Sequence, residues 1–336
     1  MKVPAMFIGL TIVALGTSLP ELSVSIASAV KHSADMSVGN LVGSNMMNML
    51  LILGIVALIR PVPIKKASKK IDFPFLIGVT LLLLLFSADG ILNGGSVSMA
   101  SRSESIVLLA VLVIYLVILV LNAKAERKLA YEQPKQLSFM KSQPEVKLKR
   151  SDITATTAAI RLEGQAEKSK WFKKKKKSGG EKVLKVWQII LCIVFGLGAV
   201  VFGAECVSTT AQFLAIKMGM SEALVGLTIV AIGTSLPELA TSIAASMKGE
   251  NELVLENIVG SNVMNIALIL GVVGVINPVA ISSVMLVDML ILAVCTIIFS
   301  VLCMTRKESV GRVIGGILVA MYVAYMVFAI VRNYCF

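Results

Sequence analysis

One long apolar segment occurs twice in this sequence. Residues 9–54 align with residues 226–271 at a constant offset of 217 positions without a gap, and 28 of the 46 aligned residues are identical. Both copies contain GTSLPE followed by GSNxxN. Internal repeats of this kind are typical of chains that are built from two similar halves. The fold must therefore contain one structural unit twice.

The chain as a whole is apolar enough to be a membrane protein. Hydrophobic residues make up 57% of the sequence, charged residues make up 15%, and the mean hydropathy is +0.87. Apolar runs of about 20 residues, the length of a membrane-spanning helix, recur along it. This pattern predicts an all-α polytopic membrane protein. Hydropathy places nine spans, near residues 5–29, 37–59, 72–92, 104–122, 183–214, 221–247, 254–276, 284–304 and 311–331.

Basic residues between the spans predict the orientation of the chain. Three basic stretches, at residues 60–70, 122–185 and 305–312, should lie in the cytoplasm under the positive-inside rule. A nine-span path satisfies all three and leaves the amino terminus inside and the carboxyl terminus outside. The first GTSLPE helix then starts inside and the second starts outside. The two halves are therefore predicted to be inverted repeats, the architecture of secondary transporters.

Most of the net charge lies in one segment between the two halves. Residues 122–185 contain 18 lysine or arginine residues and 7 acidic residues, so they carry +11 of the net charge of +12. We interpret this segment as a solvated loop that orients the chain, with lipid headgroup contact as the alternative. A nucleic-acid partner is not indicated, and no protein partner is inferred. The predicted division is a first membrane repeat at 1–122, a basic cytoplasmic loop at 123–182 and a second membrane repeat at 183–336.

The two halves differ in their number of helices. An apolar segment at residues 192–214 precedes the second GTSLPE, while the first copy of the repeat begins only eight residues after Met1. The first half is therefore expected to lack its first helix. The two interpretations are a start site upstream of Met1, which we favour, and a shortened protein.

Each GTSLPE motif places a glutamate in an apolar helix. An ionisable side chain at membrane depth is costly, so Glu21 and Glu238 are expected to face a cavity or a partner. Proline has no N–H, so Pro20 cannot donate to the carbonyl of Gly16, and backbone oxygens are freed beside the carboxylate. No lysine or arginine occurs within these helices to form a buried ion pair.

The GSNxxN motif adds further oxygen atoms. Its serine and its last asparagine are four residues apart, so Ser44 and Asn48 share one helix face, as do Ser261 and Asn265. Two inverted halves would bring carboxylates, hydroxyls, amides and carbonyls around one centre. Oxygen ligands without sulfur or imidazole suit a hard cation such as Ca²⁺ or Na⁺.

Some polar residues have a plainer interpretation. Serine, threonine and asparagine commonly hydrogen-bond transmembrane helices to one another, and Asn40, Asn45, Asn257 and Asn262 could equally have that role. Asp72 and Asp288 stand at predicted span starts, so we interpret both as helix caps. His32 is interpreted as an exposed loop residue, with a pH sensor as the less favoured alternative.

The two copies of GTSLPE and GSNxxN resemble the α-repeats of the Ca²⁺:cation antiporter superfamily, and the chain is similar to prokaryotic sodium/calcium exchangers. The resemblance covers both repeats and implies ten helices in two inverted halves of five, or nine without the first. It also implies a set of ion ligands from both copies. For Ca²⁺ these are the carboxylates of Glu21 and Glu238 with the carbonyls of Thr17 and Thr234, and for Na⁺ the carbonyls of Ala14 and Ala231 with Ser18, Ser44, Asn48, Ser235, Ser261 and Asn265.

One departure from the family bears on selectivity. Some exchangers have aspartate at the position of Asn265, and potassium-dependent relatives have additional acidic residues. Here only two carboxylates remain, and their charge of about −2 is balanced by one Ca²⁺. Potassium cotransport is therefore not indicated.

The predicted function is that of a secondary antiporter in the cell membrane, which exchanges Ca²⁺ for Na⁺ by alternating access and extrudes Ca²⁺. The alternative is an antiporter of the same architecture that exchanges Ca²⁺ or another cation for H⁺. A channel is less favoured because inverted repeats suggest occlusion. An enzyme is not indicated because GxSxG and HExxH are absent from the sequence. The expected partners are Ca²⁺, Na⁺ and the lipid bilayer, with no cofactor.

Overall fold

The computed structural model describes residues 14–92, 98–141, 219–305 and 309–335, together with single positions between residues 191 and 217. Residues 1–126 and 196–336 belong to one compact unit, and residues 127–195 belong to a second. The architecture below is that of the first unit.

The described part of the first half is helical apart from two short strands. Its longest buried helix contains a π turn at Met47–Ile52. The elements are, in chain order, α1 (Ala14–Thr17), α2 (Leu19–Val30), α3 (Ala34–Ile59), β1 (Val62–Pro63), α4 (Lys66–Lys70), α5 (Asp72–Leu92), β2 (Ser98–Ala100) and α6 (Arg102–Lys141).

The second half, in its described part, repeats this order without a counterpart of α4. It contains π turns at Gly226–Val230 and Asn265–Leu270. Its elements are α7 (Glu222–Thr234), α8 (Leu236–Lys248), α9 (Asn251–Ile276), β3 (Val279–Ile281), α10 (Ser283–Thr305), β4 (Ser309–Val310) and α11 (Arg312–Cys335).

Most of the predicted spans are confirmed as helices. Among the described residues, six helices are long and apolar enough to cross a membrane, and α7 with α8 makes a seventh if that pair is one span bent by 41°. Part of the predicted span at 5–29 and most of the one at 183–214 lie outside the described residues. The helix of the predicted span at 104–122 continues to Lys141, because alanine, lysine, glutamate and leucine favour helix beyond the apolar stretch. Residues 142–190 lie outside the described part.

Two small antiparallel ribbons join the halves at opposite ends of the unit. β1 pairs with β4, with Val62 opposite Val310, and β2 pairs with β3, with Ser98 opposite Ile281. Residues 62 and 279 are one repeat offset apart, so the equivalent strands β1 and β3 each pair with a strand of the other half. The membrane span that contains α5 leads from β1 to β2. The two ribbons therefore lie at opposite ends of that span.

The ends of the two glutamate helices show the inversion. Asn277, just before β3, donates a hydrogen bond to the carbonyl of Ala29 at the end of α2 (3.3 Å). Asn251, just after α8, donates to the carbonyl of Pro61 just before β1 (3.2 Å). α2 therefore ends beside the β2–β3 ribbon and α8 ends beside the β1–β4 ribbon. The predicted inverted repeat is confirmed.

The capping interpretation of Asp288 is wrong. Asp288 lies within α10, is fully buried, and pairs with Arg332 of α11 through Oδ2 and Nη2 at 2.6 Å. Tyr325 also donates a hydrogen bond to it, at 3.3 Å. Arg332 is far from Asp288 in sequence. The capping interpretation considered only neighbouring residues, so it did not predict this ion pair. Asp72 is the first residue of α5 and is buried as well.

Candidate functional site

A break in the helix precedes each of the two glutamates. Ser18 separates α1 from α2 with φ −84° and ψ 3°, and Ser235 separates α7 from α8 with φ −88° and ψ 4°. In both copies proline stands in the first turn of the following helix, where its missing N–H is tolerated. The proline of GTSLPE thus produces the same break at equivalent positions of both halves.

The two glutamates are fully buried and each lies beside residues of the other copy. The hydroxyl of Ser235 donates a hydrogen bond to Oε1 of Glu21 at 2.9 Å. In the reverse direction, Thr17 and Ser18 lie beside the carboxyl group of Glu238. The motif of each half therefore completes the surroundings of the other half's carboxylate.

The two carboxyl groups are close enough for the charge of Glu21 to act on Glu238. Neither oxygen of Glu238, nor Oε2 of Glu21, has a hydrogen bond of normal geometry with the part of the chain that the structure describes. Two neighbouring carboxylates in a buried setting require a compensating positive charge or a proton. The pair is therefore suited to hold a cation.

Asn40 ties three helices together beside this pair. Its amide nitrogen donates to the carbonyl of Glu21 (3.3 Å) and to the hydroxyl of Ser25 (3.1 Å). Its amide oxygen accepts from the hydroxyls of Thr234 (3.1 Å) and Ser44 (3.4 Å). Asn40 thus has the interhelical role that the sequence left open. Its contact with Thr234 also joins the two halves.

The two asparagines that end the GSNxxN motifs lie at the π turns. Asn48 and Asn265 are fully buried, and their amide groups make no hydrogen bond with the described residues. The π turn beginning at Met47 packs against α8, which carries Glu238, and the π turn beginning at Asn265 packs against α2, which carries Glu21. π turns are frequent at functional sites, and here they bring an amide toward the glutamate helix of the opposite half.

The remaining ligands implied by the resemblance fall into two groups. The hydroxyls of Ser18 and Ser261 are buried and have no hydrogen-bond partner among the described residues. The carbonyls of Ala14 and Ala231 accept the backbone N–H groups of Ser18 and Ser235, both at 3.0 Å. The same carbonyls also accept the hydroxyls of Thr17 (3.4 Å) and Thr234 (3.3 Å), so an ion at either oxygen would replace the longer of its two hydrogen bonds.

Glycines allow the close helix packing that positions these groups. A Cβ atom on Gly43 would clash with the carbonyl of Leu227 and would lie 2.6 Å from the Cβ of Ala231. A Cβ on Gly226 would meet the carbonyl of Met36 at 2.5 Å. Only glycine permits α3 and α7 to approach this closely, which places Ser44 3.4 Å from Thr234.

Sequence reasoning missed a buried charge at one end of the unit. Glu256 of α9 pairs with Lys65 at 2.6 Å, and Glu252 lies 3.2 Å from the same ammonium. Burial lowers the pKa of Lys65, but the hydrogen bond and the charge of Glu256 outweigh burial and raise it. The repeat contained a signal, because Glu256 stands where the first copy has Gly39.

Comparison with known proteins gives consistent matches over nearly the whole chain. The family described as sodium/calcium exchanger protein matches residues 1–121 and 188–331. The chain is 33% identical to the inner membrane protein YrbG of Escherichia coli (strain K12), over 96% of this chain and 86% of that protein. It is also 33% identical to the putative antiporter CaxA of Alkalimonas amylolytica, over 97% of this chain and 88% of that protein. A solved structure of the sodium-calcium exchanger NCX_Mj, soaked with 10 mM Na⁺ and zero Ca²⁺, matches with a TM-score of 0.64 and 25% identity over 97% of this chain and 88% of that chain.

Proposed function

The chain belongs to the sodium/calcium exchanger protein family, and from this premise we propose that it exchanges Ca²⁺ for Na⁺ across the cell membrane by alternating access. Its family and its structural neighbour are transporters, so the chain is a cation exchanger and not an enzyme. The ions are cargo, and the exchange needs no cofactor. The observation that carries the proposal is the reciprocal placement of Glu21 beside Ser235 and of Glu238 beside Thr17 and Ser18.

The chemistry of this centre supports Ca²⁺ as one cargo. Two carboxylates carry a charge of about −2, and among the described residues the polar side chains beside them carry hydroxyls or amides, which are hard ligands. In the proposal, Ca²⁺ is bound by Glu21 and Glu238 together with the carbonyls of Thr17 and Thr234.

Sodium ions would use the same carboxylates with a wider set of oxygen atoms. Because both cargoes need Glu21 and Glu238, binding of one excludes the other, and release of Ca²⁺ makes room for Na⁺. The wider set consists of the carbonyls of Ala14 and Ala231 and the side chains of Ser18, Ser44, Asn48, Ser235, Ser261 and Asn265.

The proposed direction is extrusion of Ca²⁺ from the cell. If the entering Na⁺ ions carry one more positive charge than the departing Ca²⁺, a negative interior assists extrusion by about 2.3 kcal/mol per 100 mV. The proposed topology has membrane repeats at 1–122 and 183–336 and a cytoplasmic basic segment at 123–182.

Exchange of Ca²⁺ for H⁺ is the second candidate. It is favoured by the burial of both glutamates side by side, since a buried pair of carboxyl groups needs a positive partner and protons could serve as that partner. In that mechanism protons, and not Na⁺, neutralise the pair when Ca²⁺ leaves.

Calcium uptake into proteoliposomes that contain the purified chain tests the proposal. Vesicles loaded with Na⁺ and diluted into K⁺ medium should take up Ca²⁺, and vesicles loaded with K⁺ should not. Uptake that requires a pH gradient and ignores Na⁺ would favour the second candidate. Lack of uptake under every imposed gradient would contradict both.

A further inference from the structure

Two equivalent polar pairs differ between the halves. The first pair is Ser25 of α2 and Asn40 of α3, and the second pair is Ser242 of α8 and Asn257 of α9, at the same repeat offset. In the first pair Asn40 donates a hydrogen bond to Ser25 at 3.1 Å. In the second pair neither the amide of Asn257 nor the hydroxyl of Ser242 has a hydrogen-bond partner within the described ranges.

A neighbouring contact strengthens the first pair alone. The hydroxyl of Ser37 lies 3.4 Å from the carbonyl of Ser25, to which it donates. The equivalent position in the second half is Val254, which has no hydroxyl. α2 and α3 are thus joined by side-chain hydrogen bonds that α8 and α9 lack at the same level.

A cavity of about 270 Å³ lies between α8 and α9 at this position. Lys248 and Glu250 at the end of α8 line it and are exposed, as are Thr241 and Ala244 along the side of α8, whereas Ser242 and Asn257 line it and are buried. The cavity therefore connects the surface beside α8, including its end near Gly249, with the second pair.

The buried end of this cavity is close to the candidate cation site. Ser242 follows Glu238 by four residues, and Asn257 precedes Ser261 by four residues. Four residues correspond to about 6 Å along a helix, slightly more than one turn. One turn of helix thus separates the second pair from the ligands of the cation site.

We infer that the two Ser–Asn pairs are the gates of alternating access. The first pair is closed and the second is open, so the site communicates with the surface near Gly249. During transport the two pairs must alternate between these states. Asn257 forms a hydrogen bond with Ser242 when Asn40 releases Ser25. This inference rests on the proposed antiport function.

Asn40 supplies the link between the gates. While its amide nitrogen holds Ser25, its amide oxygen accepts from Thr234 on α7, which belongs to the other half. A movement of α7 that breaks the contact with Thr234 also weakens the first gate. On the proposed topology the loop at Gly249 is cytoplasmic, and the state described is open to the inside.

Chemical labelling of single cysteines tests the gates. The five native cysteines are replaced by alanine or serine, and Ser28→Cys or Ala245→Cys is introduced separately into the full chain. These equivalent positions follow Ser25 and Ser242 by three residues and take no part in the Ser–Asn hydrogen bonds, so the probes leave both pairs intact. Purified protein is treated with a small charged methanethiosulfonate reagent, and modification is followed by mass spectrometry. Because both ends are accessible in detergent, the two rates compare the gates under the same conditions. Ala245→Cys, which lines the cavity, should react roughly tenfold faster than Ser28→Cys, as for a minor state populated at about 10%.

Removing the closing contact should reverse this preference. Asn40→Ala should accelerate labelling of Ser28→Cys and slow labelling of Ala245→Cys. Ser25→Ala removes the same hydrogen bond from the other side and should have the same two effects, which guards against misfolding of the asparagine variant. The matched control is Asn257→Ala, which should leave Ser28→Cys slow because Asn257 makes no closing contact in this state.

Equal labelling of the two cysteines, or a ratio that Asn40→Ala and Ser25→Ala leave unchanged, would overturn the inference. Labelling requires neither ion gradient nor transport. A chain that labels as expected but fails in the vesicle assay would refute the proposed cargo and retain the gates. A chain that transports Ca²⁺ but does not label as expected would refute the gates alone.

Discussion

The hydroxyl of Ser235 donates a hydrogen bond to the carboxylate of Glu21 at 2.9 Å across 214 residues of sequence. Each of these residues belongs to a different copy of GTSLPE, and each copy begins the helix after its serine in the same way. The contact exists because the halves are inverted, which brings equivalent helix breaks to the same depth. This arrangement supports the proposed single cation site shared by both halves.

Replacement of Ser235 by alanine should weaken Ca²⁺ binding. A hydrogen bond to a charged group contributes about 1.5–3 kcal/mol, so the dissociation constant should rise roughly tenfold or more. Isothermal titration calorimetry on the purified chain measures it. The control is Thr241→Ala, because the hydroxyl of Thr241 bonds only to carbonyls of its own helix among the described groups. An unchanged affinity in Ser235→Ala would show that the contact does not support binding.

Substitution of Gly43 by alanine should destabilise the protein. The new methyl group would clash with the carbonyl of Leu227 on α7, and overpacking of this kind costs about 1–3 kcal/mol. Gly78→Ala is the matched control, since a Cβ at Gly78 of α5 has no neighbour within 4 Å among the described residues, and alanine favours helix. Thermal unfolding in detergent should therefore give a lower Tm for Gly43→Ala only. Equal Tm values would argue against the close packing of α3 and α7.

Removal of one partner from the Asp288–Arg332 pair should also lower stability. Arg332→Met leaves a fully buried carboxylate without its guanidinium, a change that costs about 3 kcal/mol or more. Asp288→Asn combined with Arg332→Met should recover part of this loss, because the uncompensated charge is gone. A double-mutant cycle on the Tm or on the free energy of unfolding measures the coupling. Additive effects of the two substitutions would contradict a direct pair.

The substitution Asn48→Asp should change the charge balance of the site. A third carboxylate beside Glu21 and Glu238 raises the negative charge that one Ca²⁺ must balance, so the occupied site should bind an additional cation or a proton. We expect Ca²⁺ affinity to become more dependent on pH in Asn48→Asp than in the wild type, with weaker binding at low pH. Titrations at several pH values check this, and the same profile for both proteins would place Asn48 away from the ions.

Much of the architecture is readable from the sequence because it depends on local and repeated signals. Apolar runs mark the helices, the proline of each GTSLPE marks the breaks at Ser18 and Ser235, and the repeat together with the basic loops predicts the inversion. Most of these signals depend on residues that are close together in sequence. Their presence in both copies of the repeat strengthens each prediction.

Features that depend on distant contacts could not be predicted in this way. The ion pairs of Asp288 and Glu256 join residues that are far apart in sequence, with partners that hydropathy treats as loop or terminal residues. The π turn at Asn48 shifts the register of its helix, and no residue pattern around it predicts this shift. Asn40 and Asn257 are identical residues at equivalent positions, and their different hydrogen bonding depends on side-chain packing that the repeat alone does not predict.

Measurement of Ca²⁺ binding in the two glutamate variants tests the central claim most directly. The wild type should bind one Ca²⁺ per chain and release it when Na⁺ is added. Glu21→Gln and Glu238→Gln should each weaken binding at least about 100-fold, which corresponds to about 3 kcal/mol. The control Glu252→Gln removes an exposed carboxylate beside Lys65 and should bind normally. Unchanged Ca²⁺ binding in either Glu21→Gln or Glu238→Gln would contradict a single site shared by the two inverted halves.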